Sequence, residues 1–337
     1  MTAKLLSIII VNWNTWQEAA ACLDAVSRTV RKTAYEIILI DNASREDRSG
    51  VIQNRFPDLD LRIIRNPGNP GFARACNQGI DETSGRYALL LNPDTRVREG
   101  AIDRSIEWME AYPETGVLGC RLLNRDGAFQ HWTAGKFPAL QAAFNHYFFL
   151  SLIFPGMKFF QGMFRYEDSR DPEEVDWVCG AFFLARREAI EAVGNLDKRF
   201  FLYGEDIEWC YRMQQSGWKV VYFPQAETLH DSGKSVGQLT QGRYRQGLEG
   251  LSLFFKLLHP AGWKNFLFNF ITAAGFLFRT VLYSVKALPV LLFSSQKKAF
   301  DKARASWKFF VAALSILGNP PAPPATMPIQ KKTGVPA

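Results

Sequence analysis

A chain of 337 residues, 47% hydrophobic and 14% aromatic, has room for one large domain with an appendage or for two domains, and is too apolar for global disorder. Its five cysteines form no Cys-x-x-Cys pair, which argues against a zinc ribbon or disulfide framework and makes reduced thiols in a cytosolic setting the default. The formal charge of +7 is uneven: from Lys234 onward fourteen Lys and Arg face two acids, so that part carries +12 and the first 233 residues carry −5.

The run Leu5–Val11 is apolar apart from Ser7 and leads into Asn12-Trp13-Asn14. It reads as a buried first strand rather than a signal peptide. A helix is predicted over 17–30, a strand over 36–40 ending at Asp41, a strand over 61–65 and a helix over 71–82. A strand over 87–91 then runs into Asn92-Pro93-Asp94, followed by a helix over 99–112 and a strand over 116–122. This alternation predicts a mostly parallel sheet covered on both faces. In such sheets ligands bind beyond the carboxyl ends of the strands, where Asp41 and Asp94 fall. Neither a Gly-x-Gly-x-x-Gly turn after the first strand nor a Gly-x-x-x-x-Gly-Lys-Ser/Thr loop occurs. Asn66–Phe72 is glycine-rich and opens a helix, so its N–H groups can face an anion or simply close a turn.

Residues 137–166 are aromatic and poor in charge. They read as an inserted helical segment that shapes an acceptor pocket, touches lipid or packs as a plain helical hairpin. Val175–Ala185 reads as a buried strand, with Gly180 where something approaches the backbone closely. The stretch 196–212 joins an aromatic run, Gly204 and the pair Glu205-Asp206. After Gly204 a helix begins, with Ile207, Cys210 and Tyr211 on one face and Gly217 as its stop. The two acids then lie in the first turn, where the helix dipole favours anions. An ionised carboxylate at a pocket mouth can take a proton from a hydroxyl; the plainer alternative is a pair of helix-start acids.

Trp218–Phe223 is a further strand, and 231–235 is a small polar segment of the kind that moves. His230 between them is a candidate metal ligand. One carboxylate plus an imidazole, with a diphosphate filling open positions, suits Mg²⁺ or Mn²⁺. From Leu248 the chain is helical and apolar. Arg279 and Lys286 interrupt it, seven apart on one helix face, and Pro289 follows. This reads as an interfacial amphipathic segment, with a re-entrant or spanning helix as the alternative. Basic residues interleaved with apolar helix fit a membrane surface better than nucleic acid. The Pro-rich end is a loose tail.

Taken in order, Ser7–Asn14, Ile40–Ser44, Asn66–Asn77, Leu90–Asp94, Trp177–Ala181, Gly194–Arg212 and Gly217–His230 resemble the inverting family 2 glycosyltransferases of the GT-A fold. Within that family the chain is similar to the bacterial rhamnosyltransferase-like branch. The resemblance spans residues 5–232. It implies that Asp41 contacts the nucleotide base and that Asn12 and Asn77 line the nucleotide side. It implies that Asp94, the last acid of an Asp-x-Asp motif, holds a divalent metal, that His230 joins the metal shell, and that Asp206 is the catalytic base. Asn92 stands where the family has the first acid; it removes a negative charge but can still hydrogen-bond to ribose. The implied organisation is a GT-A domain over 1–235 (nucleotide half 1–125, acceptor half 126–235), a basic membrane-associating helical region over 236–317 and a tail over 318–337. The implied donor is dTDP-L-rhamnose, or else a UDP-hexose, and the implied acceptor is a lipid-linked saccharide at the cytoplasmic face of the plasma membrane. A nucleotidyltransferase would want a basic glycine-rich loop where Asn12-Trp13-Asn14-Thr15-Trp16 stands. A membrane-bound scaffold that has lost catalysis is the non-enzymatic rival.

Overall fold

The computed structural model describes residues 4–165, 168–231, 242–287 and 297–318. The polar segment from Ser232 and the Pro-rich end lie outside them. The chain divides into two compact units. The first runs to Gly135 and resumes at Arg165, and the second joins Lys136–Phe164 to the helices beyond residue 240. The sequence division near residue 235 kept 136–164 in the first domain; spatially that excursion groups with the C-terminal helices.

In the first unit β1 (Leu6–Asn12), α1 (Trp16–Thr29), β2 (Tyr35–Asp41), α2 (Ser49–Arg55), β3 (Leu61–Arg65), α3 (Phe72–Asp81) and β4 (Tyr87–Leu91) alternate. Then come β5 (Thr95–Val97), α4 (Ala101–Ala111), β6 (Thr115–Leu123) and β7 (Ala134–Gly135). The excursion into the second unit carries α5 (Leu140–Tyr147) and α6 (Leu150–Ile153). The first unit then closes with β8 (Glu173–Glu174), β9 (Trp177–Val178), β10 (Phe182–Arg186), α7 (Arg187–Val193), α8 (Glu205–Gln215) and β11 (Lys219–His230).

The main sheet has the order β3-β2-β1-β4-β10-β6-β11-β5, with β8 also pairing to β11; β7 and β9 form a separate ribbon. β3, β2, β1 and β4 are parallel, and so are β6 and β11, while β10 and β5 run against their neighbours. Every residue of β1, β4, β6 and β10 is buried, as strands covered on both faces require. Ile8, Leu39, Leu89 and Leu118 share a core with Trp16, Ala19, Leu23 and Val26, which recur at helical spacing along α1.

Two expectations are corrected here. Val175–Ala185 is not one strand: β9 pairs with β7, the chain peels away at Cys179-Gly180-Ala181, and β10 joins the main sheet. β11, in turn, runs well past Phe223. Its register against β6 slips between Phe223 and Glu227, across Pro224, which has no N–H to give the ladder. Pairing then resumes and delivers His230 to the carboxyl edge of the sheet.

The second unit adds α9 (Gly242–Leu258), α10 (Gly262–Ala287) and α11 (Lys297–Gly318), packed through Tyr147, Phe255, Phe268, Phe276 and Ile316. α10 is inside-out relative to a soluble helix. It turns Asn265, Asn269 and Thr272 inward, beside Phe268 and Phe276. Outward it shows Trp263, Phe266, Phe270, Leu277, Val281 and Val285, with Trp263 63% exposed. Arg279, seven residues before Lys286 on one helix face, also turns inward. Its guanidinium donates to the carbonyls of Tyr147 (2.9 Å) and His146 and lies 4.4 Å from the centre of the Phe149 ring. Carbonyls in the last turn of α5 lack helical partners, and a cation at that end is favoured by the dipole. Among the described residues α10 alone is long and apolar enough to cross a membrane, by length and composition.

Gly71 joins the end of β3 to the start of α3 at φ 94°, and a Cβ there would stand 2.6 Å from the Phe201 carbonyl oxygen. That carbonyl accepts the Phe72 N–H at 2.7 Å, so it has little room to retreat. Gly71→Ala is expected to cost about 1–3 kcal/mol through left-handed strain and this contact. A urea midpoint lowered at unchanged m value would show it; an unshifted midpoint would show that the junction yields freely.

Candidate active site

β1 and β2 stop in register at Asn12 and Asp41, and β3 stops at Arg65 beside Asp41. The Asn12 amide donates to Asp41 Oδ1 (2.9 Å) and Ser44 Oγ (3.1 Å), while its Oδ1 accepts the Thr15 N–H (3.2 Å) and hydroxyl (2.9 Å). Asp41 is fully buried; it also accepts the Ser44 N–H at 3.2 Å and faces Arg65 Nε at 3.3 Å. Such partners offset the cost of burying a carboxylate this deep. The adjoining loops hold Asn14 (φ 56°) and Ala43 (φ 58°) in the left-handed region, a conformation concentrated at functional sites.

Asn77 is placed differently from this pair. Its amide clamps the main chain of Leu196, donating to the carbonyl at 2.8 Å and accepting the N–H at 2.9 Å. The side chain is buried, with both ends engaged by protein, and braces the loop that leads to α8.

Asp94 and His230 meet because β11 pairs antiparallel with β5, setting His230 opposite Thr95, and the Asp231 N–H donates to the Asp94 carbonyl at 2.9 Å. His230 Nε2 lies 3.4 Å from Asp94 Oδ1 and 3.5 Å from the Asn92 amide nitrogen. On the other side of the ring, Nδ1 is 3.0 Å from Gln130 Oε1. Gln130 carried no sequence signal: it is one of several polar residues in the connection between β6 and β7.

Among the described residues no group of three or more His, Cys, Asp or Glu is gathered to hold an ion. Asp94 and His230 offer one carboxylate and one imidazole, both buried. That donor set fits Mg²⁺ or Mn²⁺, which keep positions open for phosphate oxygens and water.

Asp206 completes the edge. Tyr203 (φ 70°) and Gly204 (φ 92°) turn left-handed and start α8, which puts Glu205 and Asp206 in its first turn. Asp206 Oδ2 accepts the Gly180 N–H at 2.9 Å, and Oδ1 accepts the Ile207 N–H at 2.9 Å. So the group that approaches Gly180 is the Asp206 carboxylate. The next residue, Ala181, accepts the Asn92 N–H at 3.0 Å, which ties Asp206 to the strand end that bears Asp94. On the opposite flank the Asn42 amide reaches the Gly71 carbonyl at 3.3 Å, tying the end of β2 to the junction that meets Phe201. Asn12, Asp41, Asn92, Asp94, Asp206 and His230 thus occupy one continuous edge, with Asn77 bracing it from behind.

Burial raises the Asp206 pKa above the ordinary aspartate value, against the opposing pull of the N–H donors. Glu205 is pushed higher still, by burial first and then by the neighbouring Asp206 charge, and its Oε2 has no hydrogen-bond partner. Burial also raises Glu208, which Arg212 compensates at 2.7 and 2.8 Å. A separate cavity of about 600 Å³, lined by Arg98, Arg104, Arg170 and Glu227, contains none of these groups.

A strand-end site on this sheet is the arrangement of a nucleotide-dependent α/β transferase. The family model described as Glycosyl transferase family 2 matches residues 7–194, more than half of the chain, and the chain belongs to that family. It is 26% identical over 282 residues to the N-acetylglucosaminyl-diphospho-decaprenol L-rhamnosyltransferase of Mycobacterium tuberculosis, covering 77% of this chain and 87% of that protein. It is 24% identical over 230 residues to the low-salt glycan biosynthesis hexosyltransferase Agl10 of Haloferax volcanii, covering 67% of each. Among solved structures the mannosyltransferase PcManGT of Pyrobaculum calidifontis, in complex with GDP-Man and Mn²⁺, superimposes with a TM-score of 0.59 at 15% identity, over 95% of this chain and 88% of that one. This agreement confirms the expected GT-A-like fold.

Folding raises the Glu205 pKa above its ordinary value of 4.5, so the folded chain keeps a proton that the unfolded chain releases. The stability this gives is complete below the unfolded pKa and is lost as pH climbs through the raised folded one. Glu205→Gln removes the titration, so its Tm should fall less than the wild-type Tm between pH of about 5 and 8. Parallel Tm profiles would show that Glu205 ionises normally.

Proposed function

We propose that this chain is an inverting hexosyltransferase that moves L-rhamnose from dTDP-L-rhamnose to a lipid-linked saccharide. The observation that carries the reading is the Asp206 carboxylate, buried, raised in pKa and hydrogen-bonded to the Gly180 N–H on the same edge as Asp41 and Asp94. The name of the mycobacterial relative supports rhamnose as sugar and a prenyl diphosphate-linked acceptor. A UDP-hexose donor is the second reading, favoured by the hexosyltransferase name of the haloarchaeal relative.

In this reading Asn12 and Asp41 present the nucleotide side and Asn92 offers its amide to ribose. Asn77 acts through Leu196 rather than on the ligand. Asp206 takes the proton of the acceptor hydroxyl while that oxygen bonds to the anomeric carbon. The bond from that carbon to the diphosphate oxygen breaks, and configuration inverts. A raised pKa makes Asp206 a stronger base than an exposed aspartate. A divalent ion held by Asp94 and His230 would neutralise charge gathering on the departing diphosphate, and the Mn²⁺ in the archaeal mannosyltransferase complex supports that choice.

Asp206→Asn should lower kcat by about 10²–10⁴-fold and leave donor affinity within about twofold, read by transfer assay and calorimetry. Unchanged turnover would remove Asp206 as the base, whereas lost donor affinity with normal kcat would make it a binding group.

The outward face of α10 supplies the membrane contact, on the cytoplasmic side of the plasma membrane. With Arg279 turned inward, the apolar stripe from Trp263 to Val285 is unbroken, at about 33 Å by helical rise. Lys264 and Lys286 flank it and suit anionic headgroups. Joint replacement of Trp263, Phe266 and Phe270 by Ser should weaken binding to anionic vesicles at least about 100-fold, at roughly 1.5–3 kcal/mol for each buried side chain. Cosedimentation equal to wild type would reject this face.

A further inference from the structure

We infer that Gln130 is a positioning residue that fixes the proton of His230 on Nδ1, so that the ring presents Nε2 as a bare lone pair toward Asp94. The inference rests on the reading of Asp94 and His230 as metal-holding residues, but its first half is a statement about the chain alone.

The argument begins with which end of the Gln130 amide faces which neighbour. The carbonyl oxygen of His230 can only accept, and it lies 2.6 Å from one terminal atom of Gln130, so that atom is Nε2. The same nitrogen lies 2.9 Å from Asn124 Oδ1, so both amide protons have acceptors. The opposite terminal atom is therefore Oε1, which can only accept. It lies 3.0 Å from His230 Nδ1, so Nδ1 carries the hydrogen. In the neutral imidazole Nε2 is then unprotonated.

Gln130 is fit to impose this. It is 2% exposed, and its own backbone is held on both sides: its N–H donates to the Leu122 carbonyl at 3.0 Å, and its carbonyl accepts the Thr133 hydroxyl. It grips one residue twice, by ring and by main chain, so the imidazole cannot rotate without breaking a buried contact. The consequence lies on the far side of the ring. An unprotonated Nε2 and a carboxylate oxygen 3.4 Å apart are two acceptors aimed at one space, with the Asn92 amide nitrogen 3.5 Å from Nε2 as the neighbouring donor, and a shared cation would satisfy both. A hydrogen on Nε2 would instead close this gap as an internal hydrogen bond and hide both ligands. Gln130 thus selects the tautomer in which the pair stays available to a metal ion, the part that partners of ligating histidines commonly play.

The test uses the full-length protein. Two-bond ¹H–¹⁵N spectra of the metal-free wild type should show neutral His230 as the Nδ1–H tautomer, assigned by loss of the signal in His230→Ala. Gln130→Leu keeps the volume and removes the acceptor, and should switch the ring to Nε2–H. Mn²⁺ titrated into the protein with dTDP present, followed by the electron paramagnetic resonance of free Mn²⁺, should bind about 10–100-fold more weakly in Gln130→Leu. An Nε2–H tautomer in the wild type overturns the inference without any variant, so a Gln130→Leu chain that fails to fold does not protect it. An Nδ1–H tautomer that persists in Gln130→Leu overturns it too. If Mn²⁺ affinity falls in His230→Ala but not in Gln130→Leu, the positioning role fails while the metal reading stands. If affinity is unmoved in both, and the tautomer still switches, the metal reading of His230 is what fails.

Discussion

The hydrogen bond from the Gly180 N–H to Asp206 is the contact on which the rest of the first unit turns. It requires the chain to leave β9 in the small ribbon and join the main sheet at β10, with the Gly180 N–H turned to Asp206 at the crossing. It requires α8 to begin where it does, which is why two consecutive left-handed residues, Tyr203 and Gly204, precede Glu205. And through Ala181 it hands the same edge to Asn92, bringing the Asp206 carboxylate to the edge that carries Asp94 and His230. A sheet whose central strands are wholly buried supplies the stiffness that such positioning demands.

This edge gathers acids that would repel one another if nothing intervened, and the fold answers each one differently. Asp41 has Arg65 and an amide; Glu208 has a bidentate Arg212; Asp206 has main-chain N–H groups. Glu205 has only its own N–H, its Oε2 has no partner, and its pKa is raised by burial and by the Asp206 charge, so a proton eases its burial. Two adjacent anions in one buried turn resist charging together, so a proton on Glu205 relieves Asp206 of a neighbouring charge. The strain and desolvation are concentrated where the reaction is proposed to run, as expected of a site selected for chemistry more than for stability.

Much of this was legible in the residues, for identifiable reasons. Strand 87–91 falls where its apolar run puts it, because a buried parallel strand is written as an uninterrupted hydrophobic stretch. α2 and β5 were not foreseen; seven and three residues are too few for a period to register. The acids at strand ends could be seen as candidates because topology fixes which end of a parallel sheet is functional. The amides could not be sorted in the same way. Asn12 and Asn77 have the same side chain, yet one turns to Asp41 and the other grips Leu196, 119 residues away. Gln130 was invisible for the same reason: its partner is 100 residues on, and nothing in the sequence sets it apart from the other polar residues of its connection.

Arg279 shows how the same limit operates in the second unit. On sequence it interrupts an apolar stretch and shortens it below a membrane's thickness. In the folded unit the guanidinium is drawn inward by two helix-end carbonyls and three aromatic faces, those of Tyr147, Phe149 and Phe276. The polar side chains that would normally face water are also turned in and satisfied there: Asn265 on the Ser252 carbonyl, Asn269 on Asn265, Thr272 on the Phe268 carbonyl. A helix that hides its polar groups and shows its aromatics gains nothing from water on its outer face. Its outer face suits an apolar phase, and that fit is set by which side chains α10 keeps inside as much as by those it displays.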